Sequence, residues 1–452
     1  MAGPITRTIA WLALLLQFLW PRYLFLNVAG RGVSGYTAFT ILLFLAALGS
    51  FVVRRGLQSN VLDTLGRSKL LVGLFFLLWV RRLICDSFAG VMDGAAMNTL
   101  IDFLYLGSWF ISGLIIFSDA RMRASLPYIV AISGIVAALV GLLEYRTGTP
   151  ISRMYGFSSF AVGDAYKLDQ IGADLQRGGG VRIRSLFSHP LVYGQVVGSM
   201  LPFALFLFLA RRIRDKVLGL ILGAAVIVSL IICNARSPWV VAAAGLLCFV
   251  ALYLFDPRRK VRLFLAVIML FGSTIAAPIA IGLVDQLQSG RTQEEALSSG
   301  ARTTQANRGM SALRESPVMG FGKGSAVEYA ATLSYGGRRA SVDNYYLTAA
   351  VESGYAGVGI FVLTLAIMFA QGLRAIYSAG EERARSLSCA AVSTLVALSS
   401  GLVVLSIQDS LSIIFSMAGF LAAASGAAFI ARRQRRRAAL TYAAEARAAT
   451  AS

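Results

Sequence analysis

The chain of 452 residues is 57% hydrophobic and only 14% charged, with a mean hydropathy of +0.70, which excludes an ordinary soluble globular domain. Its formal charge of +20 does not point to nucleic acid, because the positives sit mostly in short turns between apolar runs and in the arginine-rich stretch at 432–437. Four cysteines without ligand spacing and a single histidine, His189, argue against a structural zinc site or a disulfide framework.

Apolar runs long enough to cross a roughly 30 Å hydrocarbon core recur along the chain. Such spans must be helices, since unpaired backbone polar groups cannot face lipid and no alternating barrel pattern is present. The fold class expected is all-α: a polytopic membrane protein of about 12 transmembrane helices. The spans fall near 8–28, 34–53, 68–84, 97–117, 126–143, 190–210, 216–234, 237–255, 262–284, 346–370, 387–405 and 410–430. No small-residue cleavage site follows the first run, which is expected to be a retained helix.

Charge sets the orientation. With both termini in the cytoplasm, the turns at 54–69, 119–123, 211–216, 256–262 and 374–385 and the arginine cluster at 432–437 all fall inside. Arg81 and Arg82, at the outer end of the third span, run against this bias. Two long connections, 144–189 and 285–345, then lie outside, and connections of that length usually carry function or are disordered. Within the second, 303–313 is expected to form a short helix at the membrane surface. The membrane domain is placed at 1–431, including both loops, and 432–452 is a basic, alanine-rich cytoplasmic tail.

The stretch 320–357 organises the rest. It opens as a glycine-punctuated polar loop, passes a charged and aromatic cluster, and enters an apolar segment that carries Glu352. A carboxylate two turns inside a span must pair, protonate or face a polar cavity. Asp343 lies nine residues earlier, roughly 13 Å along a helix, too far for the two to act as a glycosidase pair.

Three passages resemble the O-antigen ligase and bacterial O-antigen and exopolysaccharide polymerase superfamily. They are Arg184-Ser-Leu-Phe-Ser-His-Pro, the turn Asn234-Ala-Arg236-Ser-Pro-Trp, and the combination of Arg302, the glycine run at 316–324 and Asp343-Asn344-Tyr345 through Glu352, Gly354 and Gly357. Ligases of that family typically place histidine before asparagine at this point. Here Asp343 takes its place while Asn344, Gly354 and Gly357 match, which looks more like the polymerase branch.

The resemblance implies a GT-C-like architecture and an inverting glycosyltransferase. It would move glycan from undecaprenyl pyrophosphate to an acceptor sugar hydroxyl outside the bacterial cytoplasmic (inner) membrane. Ligation to another lipid or glycan acceptor, or transport of anionic solutes, is the alternative. No cofactor is expected. The partners expected are an undecaprenyl-pyrophosphate-linked oligosaccharide, the lipid bilayer, and flippase, chain-length or export proteins.

Asp343, Arg236 and Arg302 are the candidate catalytic residues. Arg236 sits in an outside turn, where a guanidinium can clamp pyrophosphate or simply snorkel to the headgroups. Asp343 can serve as general base toward the acceptor hydroxyl or cap the helix that begins there. An aspartate is a weak base in water, so the catalytic role needs desolvation or a tight hydroxyl contact. The candidate pyrophosphate- and glycan-binding residues are Arg184, Arg182, His189, Arg308, Lys323, Arg338, Asn344, Tyr345 and Glu352. Among these, Lys323 belongs to a glycine run able to form an anion-binding nest, His189 precedes a helix-starting proline, and Glu352 has a structural ion pair as its competing role.

Overall fold

The computed structural model describes residues 3–20, 25–28, 31–88, 95–149, 176–177, 180–187, 189–254, 293–333, 340–404 and 409–451. The expected span at 262–284, Arg338, and most of the 144–189 loop lie outside the described residues.

Among the described residues, seven helices are long and apolar enough to cross a membrane: Gly35–Val53, Ala96–Ile116, Ala120–Thr147, Pro190–Phe208, Ile213–Ile232, Tyr345–Ser378 and Ser410–Gln434. The protein is thus an all-α polytopic membrane protein. Four further expected spans fall on helices that are shorter or more polar: α1 (Pro4–Leu19), α4 (Lys69–Phe88), Ser237–Leu254 and Glu382–Gly401. Paired strands among the described residues are confined to three antiparallel two-stranded ribbons.

Local chemistry explains where several boundaries depart from the hydropathy pattern. The first span was expected near 8–28, but α1 stops at Leu19 because Trp20 precedes Pro21 and is driven to extended backbone, φ −73° and ψ 125°. A hairpin follows, β1 (Phe25–Val28) and β2 (Arg31–Ser34), before α2 (Gly35–Val53). The turn expected at 54–69 is largely a helix, α3 (Arg55–Arg67). It is amphipathic, burying Leu57, Val61 and Thr64 at helical spacing. After α4, the apolar run expected at 97–117 is two helices, α5 (Ala95–Asp102) and α6 (Ser108–Ile116), joined by a π-helical turn at Phe103–Gly107.

In α7 (Ala120–Thr147), Asp119 caps the start by accepting from the Arg121 N–H at 3.0 Å. The ribbon β3 (Gln176–Arg177) and β4 (Gly180–Val181) follows. Then come α8 (Pro190–Gly198) and α9 (Leu201–Phe208), separated by Ser199–Met200 just before Pro202, and next α10 (Ile213–Ile232) and α11 (Ser237–Leu254). The expected surface helix at 303–313 is longer than that, α12 (Gln293–Glu315). After it lie α13 (Ser325–Tyr329), the ribbon β5 (Thr332–Leu333) and β6 (Ala340–Ser341), and α14 (Tyr345–Ser378). The chain closes with α15 (Glu382–Gly401) and α16 (Asp409–Ala451), a helix that runs on through the basic stretch.

The core is made where α6, α14 and α15 meet α16, and α11 packs on α15. Phe75 of α4 lies 4.5 Å from Phe110 and 5.5 Å from Phe415, ring centre to ring centre. Small residues bring α6 and α16 together: a Cβ on Gly419 would lie 2.6 Å from the Phe110 carbonyl oxygen.

Polar contacts divide between the two ends of this bundle. At one end Arg383 reaches Asp215 at 3.3 Å and the Tyr128 hydroxyl at 3.0 Å, and Arg432 donates to the Tyr377 carbonyl at 2.8 Å. At the other lie the ends of α4, α7, α10 and α15, the starts of α5, α8 and α14, and the 293–333 segment.

Candidate active site

The second long connection is seated on α14 by the backbone. Gly354 adopts φ 68° and ψ −179° inside that helix, a conformation essentially restricted to glycine. A Cβ there would overlap the Val318 carbonyl. The break takes Val351 and Glu352 carbonyls out of the helical ladder, and the loop supplies their partners: Phe321 N–H donates to Val351 at 3.0 Å and Gly322 N–H to Glu352 at 2.9 Å. In return, Tyr355 N–H donates to the Pro317 carbonyl at 2.7 Å. Gly354 therefore packs the helix against a loop.

Buried charge locks the same junction. Arg82 lies 3.5 Å from Glu352 and 3.7 Å from Asp102, with all three side chains at most 15% exposed. Lys323 Nζ contacts Asp102 at 2.7 Å, and its backbone N–H donates to Asp86 at 2.6 Å. Gly324 N–H donates to the other Glu352 oxygen at 2.7 Å, and Thr99 bonds Asp86. The glycine run does turn its N–H groups toward anions, as a nest requires, and the anions it holds here are the protein's own carboxylates. Arg81 completes the clasp through the Val318 carbonyl at 2.5 Å. Beside it, Arg81, Arg82, Tyr345, Glu352 and Ser353 border a cavity of about 30 Å³, room for one or two waters.

Arg302 and Asp343 face each other on the open side of this loop. Their Nε and Oδ2 atoms are 4.0 Å apart, and the side chains are 39% and 37% exposed. A partly exposed pair at that distance, too long for a hydrogen bond, contributes little stability, so it is poorly explained as a strut. The Asp343 N–H is held by Gln305 Oε1 at 3.0 Å, and Gln305 Nε2 donates to Thr332 at 2.9 Å. Arg308 is turned to the Ala331 carbonyl at 3.0 Å. Capping of α14 falls to Asn344, which accepts from the Leu347 N–H at 3.1 Å, and not to Asp343. Tyr345 is buried, its ring edge-on to Phe361 at 5.3 Å.

The two other passages form a second group. Arg182 donates through Nε and a terminal nitrogen to the Asn234 carbonyl, both at 3.3 Å, joining the stretch before α8 to the turn that carries Arg236. Asn234 has φ 47°, and the backbone carbonyl of Arg236, a partly buried residue, accepts from the Trp239 N–H at 3.1 Å. Arg184 is 1% exposed and lies within electrostatic reach of Glu144, which is 0% exposed and accepts from the Ser185 N–H at 2.7 Å. His189 caps α8 by accepting from the Leu191 N–H on Nδ1 at 3.1 Å. Burial, then the charges of Arg182 and Arg184, push its imidazole down to about 4.

Both groups occupy one end of the bundle. Cys233 Sγ contacts the Pro190 carbonyl at 3.3 Å, Gln195 of α8 donates to Gly401 at 3.4 Å, and the Leu402 carbonyl accepts from the Tyr345 N–H at 2.9 Å. A short chain of contacts thus runs from the Arg236 turn through α8 and the end of α15 to the start of α14.

Arg82 stood out in the sequence only as a charge against the orientation bias, and Asp86, Asp102, Glu144 and Gln305 were not singled out at all. Signals existed for the four charged ones: Arg82 is an arginine on the side disfavoured by orientation, and the three carboxylates stand at the ends of apolar runs.

With this geometry in place, the O-antigen ligase family model matches residues 221–362, about a third of the chain. The match runs from within α10 into α14 and takes in Arg236, Arg302, Asp343, Glu352 and Gly354. No curated protein matches the chain. The family match supports membership of the O-antigen ligase and polymerase superfamily, and with it an enzymatic role at the membrane in polysaccharide biosynthesis.

Proposed function

We propose that the protein is a polysaccharide polymerase that extends a glycan carried on undecaprenyl pyrophosphate, at the extracytoplasmic face of a bacterial inner membrane. The observation that carries this is the partly exposed Arg302–Asp343 pair inside the family-matched segment, at the same bundle end as Arg182, Arg184 and Arg236.

In this scheme Asp343 takes the proton of the acceptor hydroxyl as its oxygen attacks the anomeric carbon. The bond from that carbon to the pyrophosphate oxygen breaks, and undecaprenyl pyrophosphate leaves with the electron pair. Arg302 and Arg236 stabilise the charge that grows on the leaving group. Attack opposite the departing oxygen inverts the anomeric configuration. The loop clasp of Arg82, Glu352 and Lys323 holds the base and its arginine in register.

The test is incubation of the purified protein with a defined undecaprenyl-pyrophosphate oligosaccharide and mass analysis of the products. Longer glycan on the same lipid is expected, with Asp343→Asn slowed about 100-fold or more. Elongation by Asp343→Asn at the wild-type rate would overturn the assignment of the base. A second reading, ligation, is favoured by the description of the matched family, and glycan appearing on a different lipid acceptor would establish it.

A further inference from the structure

The end of the bundle away from the proposed active site carries two adjoining cavities of about 340 and 370 Å³. They share Ala120, Arg123, Ala427 and Ala431, so the two chambers adjoin where α7 meets α16. Each chamber falls in the size range of small-molecule sites, roughly 300–1,000 Å³.

The wall chemistry is divided. Alanines from α7, α14, α15 and α16 make smooth apolar surfaces, while Arg123, Arg383 and Arg432 border the first chamber and Arg121 with Arg123 the second. Two carboxylates also line the cleft. Asp119 is occupied with capping α7, and Glu381 stands beside Arg383 at the first chamber. Asp215, beneath Arg383, is 1% exposed and already bonded to it and to Tyr128. Arg123 gives one terminal nitrogen to the Phe117 carbonyl at 2.5 Å and Arg432 one to Tyr377. A guanidinium has five N–H donors, so each retains capacity for an anion.

We propose that this cleft binds an anionic glycerophospholipid, its phosphodiester at Arg123 and Arg432 and its acyl chains along the alanine walls. A free inorganic anion would gain nothing from the apolar chambers, and a zwitterionic lipid would bring a cation to a basic rim. Basic pockets between transmembrane helices are suited to anionic headgroups, and the charge bias of the chain assigns this end to the cytoplasmic leaflet. The site is independent of the glycan chemistry at the other end.

The test uses the full chain, delipidated in detergent and then titrated with phosphatidylglycerol, phosphatidylcholine or undecaprenyl phosphate, with bound lipid counted by native mass spectrometry. Wild type is expected to hold phosphatidylglycerol at least tenfold more tightly than phosphatidylcholine. Arg432→Gln and Arg123→Gln should each reduce that preference about tenfold, and Ala428→Phe, which fills the first chamber, should remove it. Since Arg123 also ties down the Phe117 carbonyl, Arg432→Gln and Ala428→Phe decide the matter if Arg123→Gln does not fold. Equal retention of the two phospholipids, or unchanged preference in Arg432→Gln and Ala428→Phe, overturns the proposal. Displacement of phosphatidylglycerol by an equal concentration of undecaprenyl phosphate would also overturn it and reassign the cleft to prenyl phosphate.

Discussion

Removing the cation at the centre of the loop clasp is the most direct probe of how the proposed site is held. Arg82 faces Glu352 at 3.5 Å and Asp102 at 3.7 Å in a place where none of the three side chains exceeds 15% exposure. At an effective dielectric constant of about 20, each contact is worth about 5 kcal/mol before desolvation is counted. Much of that is offset by the cost of taking the charges out of water, yet deleting one partner leaves the others stranded, and the expected net loss for Arg82→Met is about 3–5 kcal/mol. Glu352→Gln keeps the shape and the hydrogen-bond acceptor facing the Gly324 N–H while removing the charge, so it should cost less. A double-mutant cycle, read by denaturant unfolding in detergent micelles, should give a coupling of about 2 kcal/mol between the two positions. Full-length folding within about 0.5 kcal/mol of wild type for Arg82→Met, or a coupling near zero, would refute the view that this pair fastens the loop to the helices.

Gly354→Ala places a side chain in a backbone region open essentially to glycine and onto the Val318 carbonyl. The combined strain and loss of the loop's backbone bonds should cost about 3–5 kcal/mol and speed trypsin cleavage after Lys323. Gly419→Leu, whose Cβ would sit 2.6 Å from the Phe110 oxygen, should lower stability by about 1–3 kcal/mol through separation of α6 and α16, measured by thermal unfolding. His189 provides a pH prediction. Its imidazole is held near 4 in the folded protein against about 6.5 when unfolded, so the unfolded chain binds the extra proton between those values. Stability should therefore be complete above pH 6.5 and fall as pH drops toward 4, on the order of 2 kcal/mol after allowance for partial exposure. His189→Asn, which retains a cap, should flatten that part of the pH profile of the melting temperature.

Hydropathy alone determined that the chain is a bundle of membrane helices, because lipid admits little else for an apolar run of that length. Single residues were legible where a local rule dominates. His189, ahead of a helix-starting proline, does cap its helix, and a charge as deep as Glu352 had to find a partner, whereas the cap expected of Asp343 is made one residue later by Asn344. The identity of that partner was beyond sequence reasoning, since Arg82 lies 270 positions away and meets it only when α4 packs beside α14. The glycine run pointed to an anion nest, but only the folded chain decided that Asp86 and Glu352 fill it. Pairwise choices of this kind depend on which helix faces which, and no periodicity within one helix encodes that. For the same reason the pairing of Arg302 with Asp343 and the docking of Arg182 on the Asn234 carbonyl belong to the tertiary structure: each joins segments whose own patterns are satisfied without the other.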